Sequence, residues 1–373
     1  MAEKRLTRRE FVRNTTVAAA GLAAAAAMGR SDRIVRAGEP TTVDTKKILN
    51  YNPNMEYRRL GKTGLMVSAV CLGGHWKRID KVVKSDGVGW LSGSIEHPDF
   101  QKNRYDVVTR CIEAGINYID ACWSNEVIAY TRAVKGRRDK IYMGFSWGDK
   151  ELRFAPYRTA KALMETLENG LKTAGLDHAD LWRITMHEQS GKHTEGEVEE
   201  MMKALETAKK QGKARFTGFS SHDRLHIKYM IEKYTAQIDA FCTPYTAKTK
   251  ELPTDSVFET VRKYDIGVFG IKPFASNSLF NEAFKKVQGD PPLHTPDTDL
   301  LARLAIRYIL ANPAITAPIP GLINAHQVDN AALAVQERRK LDAAEAQKLA
   351  SAMDEAWAKL PADYQWLKDF EYV

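Results

Sequence analysis

From residue 67 onward the chain keeps returning to one two-part pattern, a short apolar run followed by a stretch with helical period. The runs fall at 67–72, 116–123, 140–147, 180–186, 215–220, 238–244, 266–273 and 315–319, which makes eight. Runs so short and so evenly apolar read as strands buried on both faces. The stretches between and after them, at 99–114, 126–134, 158–173, 195–211, 224–234, 256–263, 300–310, 325–335 and 342–360, carry helical patterning. Parallel strands need such crossovers. The fold class expected is therefore α/β, a closed (β/α)8 TIM barrel rather than an open doubly wound sheet. No GxGxxG follows an early strand to favour the latter.

The run 115–123, Gly-Ile-Asn-Tyr-Ile-Asp-Ala-Cys-Trp, ends on a carboxylate. In a barrel the C-terminal strand ends converge on one mouth, where chemistry is done. Asp120 is accordingly a candidate catalytic residue, with the alternative that it merely caps the next helix. His75, Cys122, His187, Glu188 and His222 also fall at or just beyond strand ends. Trp76, Trp123, Trp147 and Trp182 are expected near the same mouth, where they would suit an aromatic or sugar-like ligand.

The net charge of +8 suggests a basic protein, but its source is local. Residues 1–37 hold eight basic and three acidic side chains, which leaves +3 for the remainder, so a nucleic-acid footprint has no support. Thr7-Arg8-Arg9-Glu10-Phe11-Val12-Arg13 resembles a twin-arginine signal, and 15–28 adds an Ala-rich stretch too short for a stable membrane span. We read 1–37 as a signal peptide handled by the twin-arginine export machinery, 38–56 as a linker or arm, and 57–373 as the barrel with its closing helices. The protein is then exported, to the periplasm. Cys71, Cys111, Cys122 and Cys242 show no paired spacing, so no metal ligand set is assigned, and one disulfide or four thiols both remain open.

In YRRLGKTGLMVSAVCLGG (57–74), GINYID (115–120), KGRRDKIYM (135–143), ADLW (179–182), TGFSS (217–221) and NPAITAPIPG (312–321) the chain resembles the aldo/keto reductase family. The resemblance implies hydride transfer between NADP or NAD and the carbonyl of a small-molecule substrate. It also implies a Tyr proton donor, a Lys that lowers the Tyr pKa, a His that orients the carbonyl, and an Asp paired to the Lys. Asp120 matches the Asp. Asn125 stands at the Tyr position, Ser146 at the Lys and Thr185 at the His, with His187 two residues on as a displaced substitute. Asn delivers no proton at neutral pH. Tyr130 is nearby, but it lies inside a helix pattern and reads as core.

On the cofactor side the resemblance assigns Ser220 and Ser221 to the carboxamide, with Cys242 replacing a Gln. It places Ile271 where many members stack an aromatic, with Lys272 beside it as a source of charge. Pro320 and Gly321 begin the phosphate loop, and Gln327 replaces an Arg, with Asn330-Ala331 replacing a Glu-Asn pair. The expectation is an oxidoreductase with a degenerate active site, acting on a carbonyl or sugar-like substrate around tightly bound NADP. An exported protein has no free pool of that cofactor to draw on. Two further readings stay open: a metal-dependent hydrolase, lyase or isomerase built on the His and carboxylate groups of the mouth, and a barrel that binds a ligand or partner without catalysis.

Overall fold

The computed structural model describes residues 34–35, 43–83, 95–285 and 293–371. The twin-arginine stretch lies outside the described residues. Eight parallel strands run in sequence order around the sheet: β4 (Leu72–Gly73), β5 (Tyr118–Ala121), β6 (Tyr142–Phe145), β7 (Ala179–Thr185), β8 (Ala214–Ser220), β9 (Ala240–Pro244), β10 (Gly267–Ile271) and β11 (Ala317–Ile319). The first and last meet through Cys71 N–H to Pro318 O (3.1 Å), Gly73 N–H to Pro320 O (2.8 Å) and a parallel bridge between Gly73 and Gly321. That seam needs glycine, because a Cβ on Gly321 would stand 2.4 Å from the Gly74 carbonyl oxygen.

Amphipathic helices form the outer layer: α1 (Pro98–Glu113), α2 (Ser124–Ala133), α3 (Ala160–Ala174), α4 (Glu195–Lys210), α5 (Arg224–Lys233), α6 (Val257–Tyr264), α7 (Asn281–Lys285), α8 (Pro296–Ala311), α9 (Ala325–Gln336) and α10 (Ala343–Ala358). None of the described helices is long and apolar enough to cross a membrane. Along each strand, alternate side chains go to two different cores. Ile119, Trp182, Ile184, Phe219 and Phe241 pack outward against the helices. Tyr118, Leu181, Cys242, Phe269 and Ala317 fill the barrel, with the Tyr118 and Phe269 rings stacked at 4.5 Å.

The run expected as one strand at 67–72 is divided. Residues Met66–Ser68 (β3) pair antiparallel with Tyr57–Arg59 (β2), and only Leu72–Gly73 enters the barrel. The hairpin turns Leu60, Leu65 and Val67 into the barrel core and binds Asp265 through both Arg59 Nη atoms at 2.7 and 2.9 Å. Asp265 precedes β10, so the hairpin closes the end opposite the mouth. Ile34–Val35 (β1) adds a third strand to it by pairing with Tyr57 and Arg58. Residues 43–56 run as an arm, with the Asn50 and Asn52 amides donating to Ile112 O and Glu113 O at the end of α1.

Candidate active site at the barrel mouth

Strand alternation delivers Asp120 from β5 and Arg183 from β7 to the barrel interior, and they form a two-pronged ion pair. Arg183 Nε donates to Asp120 Oδ1 at 2.7 Å, and Nη2 donates to Oδ2. Both side chains are almost fully buried. Gly144, beside Asp120 in the sheet, makes room for the carboxylate, since a Cβ there would lie 2.8 Å from Oδ1. Burial alone would drive the Arg183 guanidinium down, but Asp120 overrides it and holds the pKa well above the ordinary value. Asp120 therefore orients a guanidinium and not a lysine ammonium.

The positions matched to the family's Tyr and Lys do not face the cavity. Asn125 lies in the first turn of α2, outside the cavity lining. Ser146 is buried behind the mouth, donating its hydroxyl to Glu151 and lying 2.8 Å from Thr185 Oγ1. Glu151 also accepts from Trp147 N (3.0 Å), Thr185 N (2.7 Å) and Trp182 Nε1 (3.2 Å), so it is fully enclosed in donors. Burial pushes its carboxyl above the usual range against the pull of those bonds. His187 is also outside the lining, two residues past the end of β7 at Thr185. Its side chain is 37% exposed, and Nδ1 accepts from Gln189 N at 3.1 Å.

What the mouth does enclose is a cavity of about 470 Å³. Asp120, Cys122, Arg183 and Thr185 line one side, with Ser220, His222, Ile271 and Lys272 beyond them. Pro320 and Gly321 complete the wall at the barrel seam. The sequence reading missed the rim contributed by Asp363, Tyr364 and Trp366, from the 3-10 segment Ala362–Phe370. Trp366 stacks on His222 with ring centroids 4.5 Å apart, and Phe370 meets the same imidazole edge-on. Burial, followed by the Lys272 and Arg224 charges, pushes the His222 pKa well below its usual value, and its Nδ1 has no hydrogen-bond partner among the described residues. Of the four tryptophans expected here only Trp123 reaches the cavity. Trp76 and Trp182 pack in the outer core, and Trp147 stacks on Phe145.

Charge at the mouth is unevenly matched. Glu126 is buried and accepts from His75 N and its ring Nδ1, both at 2.6 Å, and from Cys122 N at 2.7 Å. Burial would raise its carboxyl, but the His75 ring and these bonds bring it below the ordinary range. Glu188 is taken by Arg153 at 2.5 Å. Lys77 reaches Ser276 O at 3.2 Å and lies over the Tyr364 ring. Lys272, in contrast, pairs with no carboxylate among the described residues. Its Nζ lies 5.3 Å from the centre of the Trp366 ring, and desolvation lowers its pKa to about 8. Backbone strain collects in the same loop: Lys272, Ala275, Ser276 and Asn277 all have positive φ, from 46° to 72°.

The residues assigned to a cofactor divide in two. Ser220, Ile271, Lys272, Pro320 and Gly321 line the mouth, the first three on the side assigned to the nicotinamide and the last two where the phosphate loop begins. Ser221 points away, its hydroxyl donating to Ser190 at 2.6 Å. A second cavity of about 60 Å³ adjoins the first through Lys77, Phe274, Asn277 and Gly321, and contains Gln327 and Asn330. The two assigned residues there already have partners within the chain: Gln327 Oε1 accepts from Ile323 N, and Asn330 bonds both Asp299 O and Arg303. The fit is thus good at the mouth and poor at this far end.

The donors that the metal-dependent reading would draw on at the mouth do not gather among the described residues. His75 and Glu126 pair with each other, Glu188 with Arg153, and Cys122 is a free thiol whose pKa burial raises despite Arg183 nearby. Among the described residues the group within ligand reach of one another is His294, Asp299 and His326, beside the smaller cavity. Cys71, Cys111 and Cys242 are also free thiols.

Residues 89–354 match the model of the aldo/keto reductase family. The chain is 23% identical over 314 residues to L-galactose dehydrogenase of Arabidopsis thaliana, covering 77% of this chain and 90% of that protein. It is 24% identical over 331 residues to the uncharacterized oxidoreductase YrpG of Bacillus subtilis (strain 168), covering 76% and 91%. Its fold is similar to that of aldo-keto reductase AKR11C1 from Bacillus halodurans in its holo form, with a TM-score of 0.58 at 20% identity over 79% of this chain and 95% of that one. MGS-M4, an aldo-keto reductase from a Medee basin deep-sea metagenome library, superposes with a TM-score of 0.53 at 16% identity, over 79% and 94%. The mouth described above is that of an oxidoreductase family barrel, and the chain belongs to the aldo/keto reductase family.

Proposed function

We propose that this chain is a divergent, exported oxidoreductase that keeps a resident nicotinamide cofactor, NADP or NAD, and works on a small carbonyl or sugar-like substrate with a rebuilt acid–base set. The observation that carries the reading is Lys272, a desolvated ammonium facing the cavity with no acidic partner among the described residues. A nicotinamide, when bound, supplies or accepts a hydride at the carbonyl carbon. Lys272, with a pKa of about 8, is mostly protonated at neutral pH and suited to meet the substrate oxygen and give it a proton. Arg183, fixed by Asp120, adds positive charge at the same cavity wall. Trp123 and Trp366 supply apolar faces for a ring-like substrate.

A tightly held cofactor is consistent with export in the folded state through the twin-arginine machinery to the periplasm, where a freely exchanging nicotinamide would not be replenished. The test is the content of the protein purified from its exported form, by absorbance and mass spectrometry after denaturation. About one nicotinamide per chain is expected. A folded protein that carries none, and that binds neither NADPH nor NADH when titrated, would refute the reading and leave the non-catalytic binding barrel in its place.

A further inference from the structure

We propose a binding site for one divalent transition-metal ion, of the zinc class, formed by His294, Asp299 and His326. It is separate from the mouth and independent of the chemistry proposed there. His294 precedes α8, Asp299 lies in the first turn of α8, and His326 lies in the first turn of α9. The three ligand atoms lie within 4.8 Å of one another. His326 Nε2 is 2.7 Å from Asp299 Oδ2, and His294 Nδ1 is 3.4 Å from the same oxygen.

Those two distances call for different explanations. The first is a hydrogen bond; the second is a longer contact that places a second imidazole nitrogen against the same oxygen. The two rings stack face to face at 3.6 Å with planes 20° apart. Two imidazolium charges so close would repel, so at least one of the rings is favoured in its neutral form, with a lone pair to offer. A cation would take the lone pair of each neutral ring and one carboxylate oxygen together, once the rings turn out of their stack toward it. In a tetrahedral site with bonds of about 2.05 Å, neighbouring ligand atoms are separated by about 3.3 Å. The His294 edge is already at that spacing, and the His326 edge must open by about 0.6 Å. Both rings are partly exposed, 43% each, so they are free to turn toward one centre and reachable from solvent.

Two nitrogens and one oxygen select a borderline metal such as Zn²⁺, Co²⁺ or Ni²⁺ over Mg²⁺ or Ca²⁺. Three protein ligands leave at least one position for water or an incoming oxygen. Because His294 and Asp299 also line the smaller cavity, the ion would stand at its edge and tie the chain entering α8 to the start of α9.

The test uses the full chain without an affinity tag, stripped with a chelator and then titrated with Zn²⁺ and Co²⁺ by calorimetry and visible absorbance. One equivalent is expected, with the spectrum of a four- or five-coordinate Co²⁺ bound through nitrogen. Zn²⁺ at 100 times its dissociation constant should shift the folding equilibrium about 100-fold toward the native state. His326→Ala and, independently, His294→Ala should each weaken binding at least tenfold while circular dichroism shows the fold intact. Should one variant fail to fold, the other decides. Absence of saturable binding at one equivalent in the unmodified chain, or undiminished binding in a folded variant, would overturn the proposal.

Discussion

Replacing Lys272 with Met should make the protein more stable and less able to bind its ligand. The ammonium titrates at about 8 in the folded chain, against 10.5 for an unhindered lysine, so holding it charged in the mouth at pH 7 costs about 3 kcal/mol. Met keeps most of the stem and has no charge to desolvate. Both residues bear the same backbone cost at φ 57°, so that contribution cancels. Loss of the Trp366 contact subtracts about 0.5–1 kcal/mol, which leaves a gain of about 2 kcal/mol. The pH dependence follows from the sign of the shift. A lysine whose folded pKa is depressed is charged in both states below about pH 8, where the wild type bears the full cost. Between pH 8 and 10.5 the folded state sheds the proton first, so the advantage of the variant shrinks, and above 10.5 it levels off. Urea unfolding of both proteins at pH 7 and pH 10 measures this, because other titrating groups cancel in the difference. A variant that is less stable at pH 7, or a difference unchanged at pH 10, would refute the reasoning.

Arg183→Leu should destabilise by about 3–5 kcal/mol, because it leaves the Asp120 carboxylate buried without its partner; adding Asp120→Asn should recover part of the loss in the same unfolding measurement. Glu151→Gln should cost about 2 kcal/mol: one of its two accepting atoms becomes an amide donor facing the donors at Ser146, Thr185, Trp147 or Trp182. Asn125→Tyr with Ser146→Lys should raise aldehyde reduction less than tenfold, since neither position lines the cavity; a gain of several hundredfold in steady-state assays would show that the family's acid set can still assemble here.

How much of this was legible in the sequence follows from the range of the forces involved. Strands and helices were readable because each is written in a local period, and β5 to β11 fall within the expected runs to within a residue or so. The division of 67–72 was not, since an apolar run looks the same whether it closes a hairpin or enters a barrel. Arg183 was within reach: counting back by twos from Thr185 puts it on the interior face, whereas counting forward to His187 fails because the strand stops at Thr185. Its union with Asp120, 63 residues earlier, had no local signal, nor had the return of Trp366 to cover His222.

The buried polar groups of the site differ in whether the chain itself satisfies them. Asp120, Glu126, Glu151 and Glu188 each have their partners within the chain, so folding alone accounts for them. Lys272 and His222 are different. Among the described residues one is a desolvated charge that pairs with no carboxylate and the other an imidazole whose buried Nδ1 has no bond, and both line the same cavity. Groups of that kind lower stability, and at a cavity wall they are available to a ligand. Asn125 and Ser146 lie outside the cavity lining, whereas Lys272 and His222 line it just beyond β10 and β8. The acid–base role proposed for this protein is therefore tested first at Lys272, whose Nζ lies 5.3 Å from the centre of the Trp366 ring, before Asn125 and Ser146.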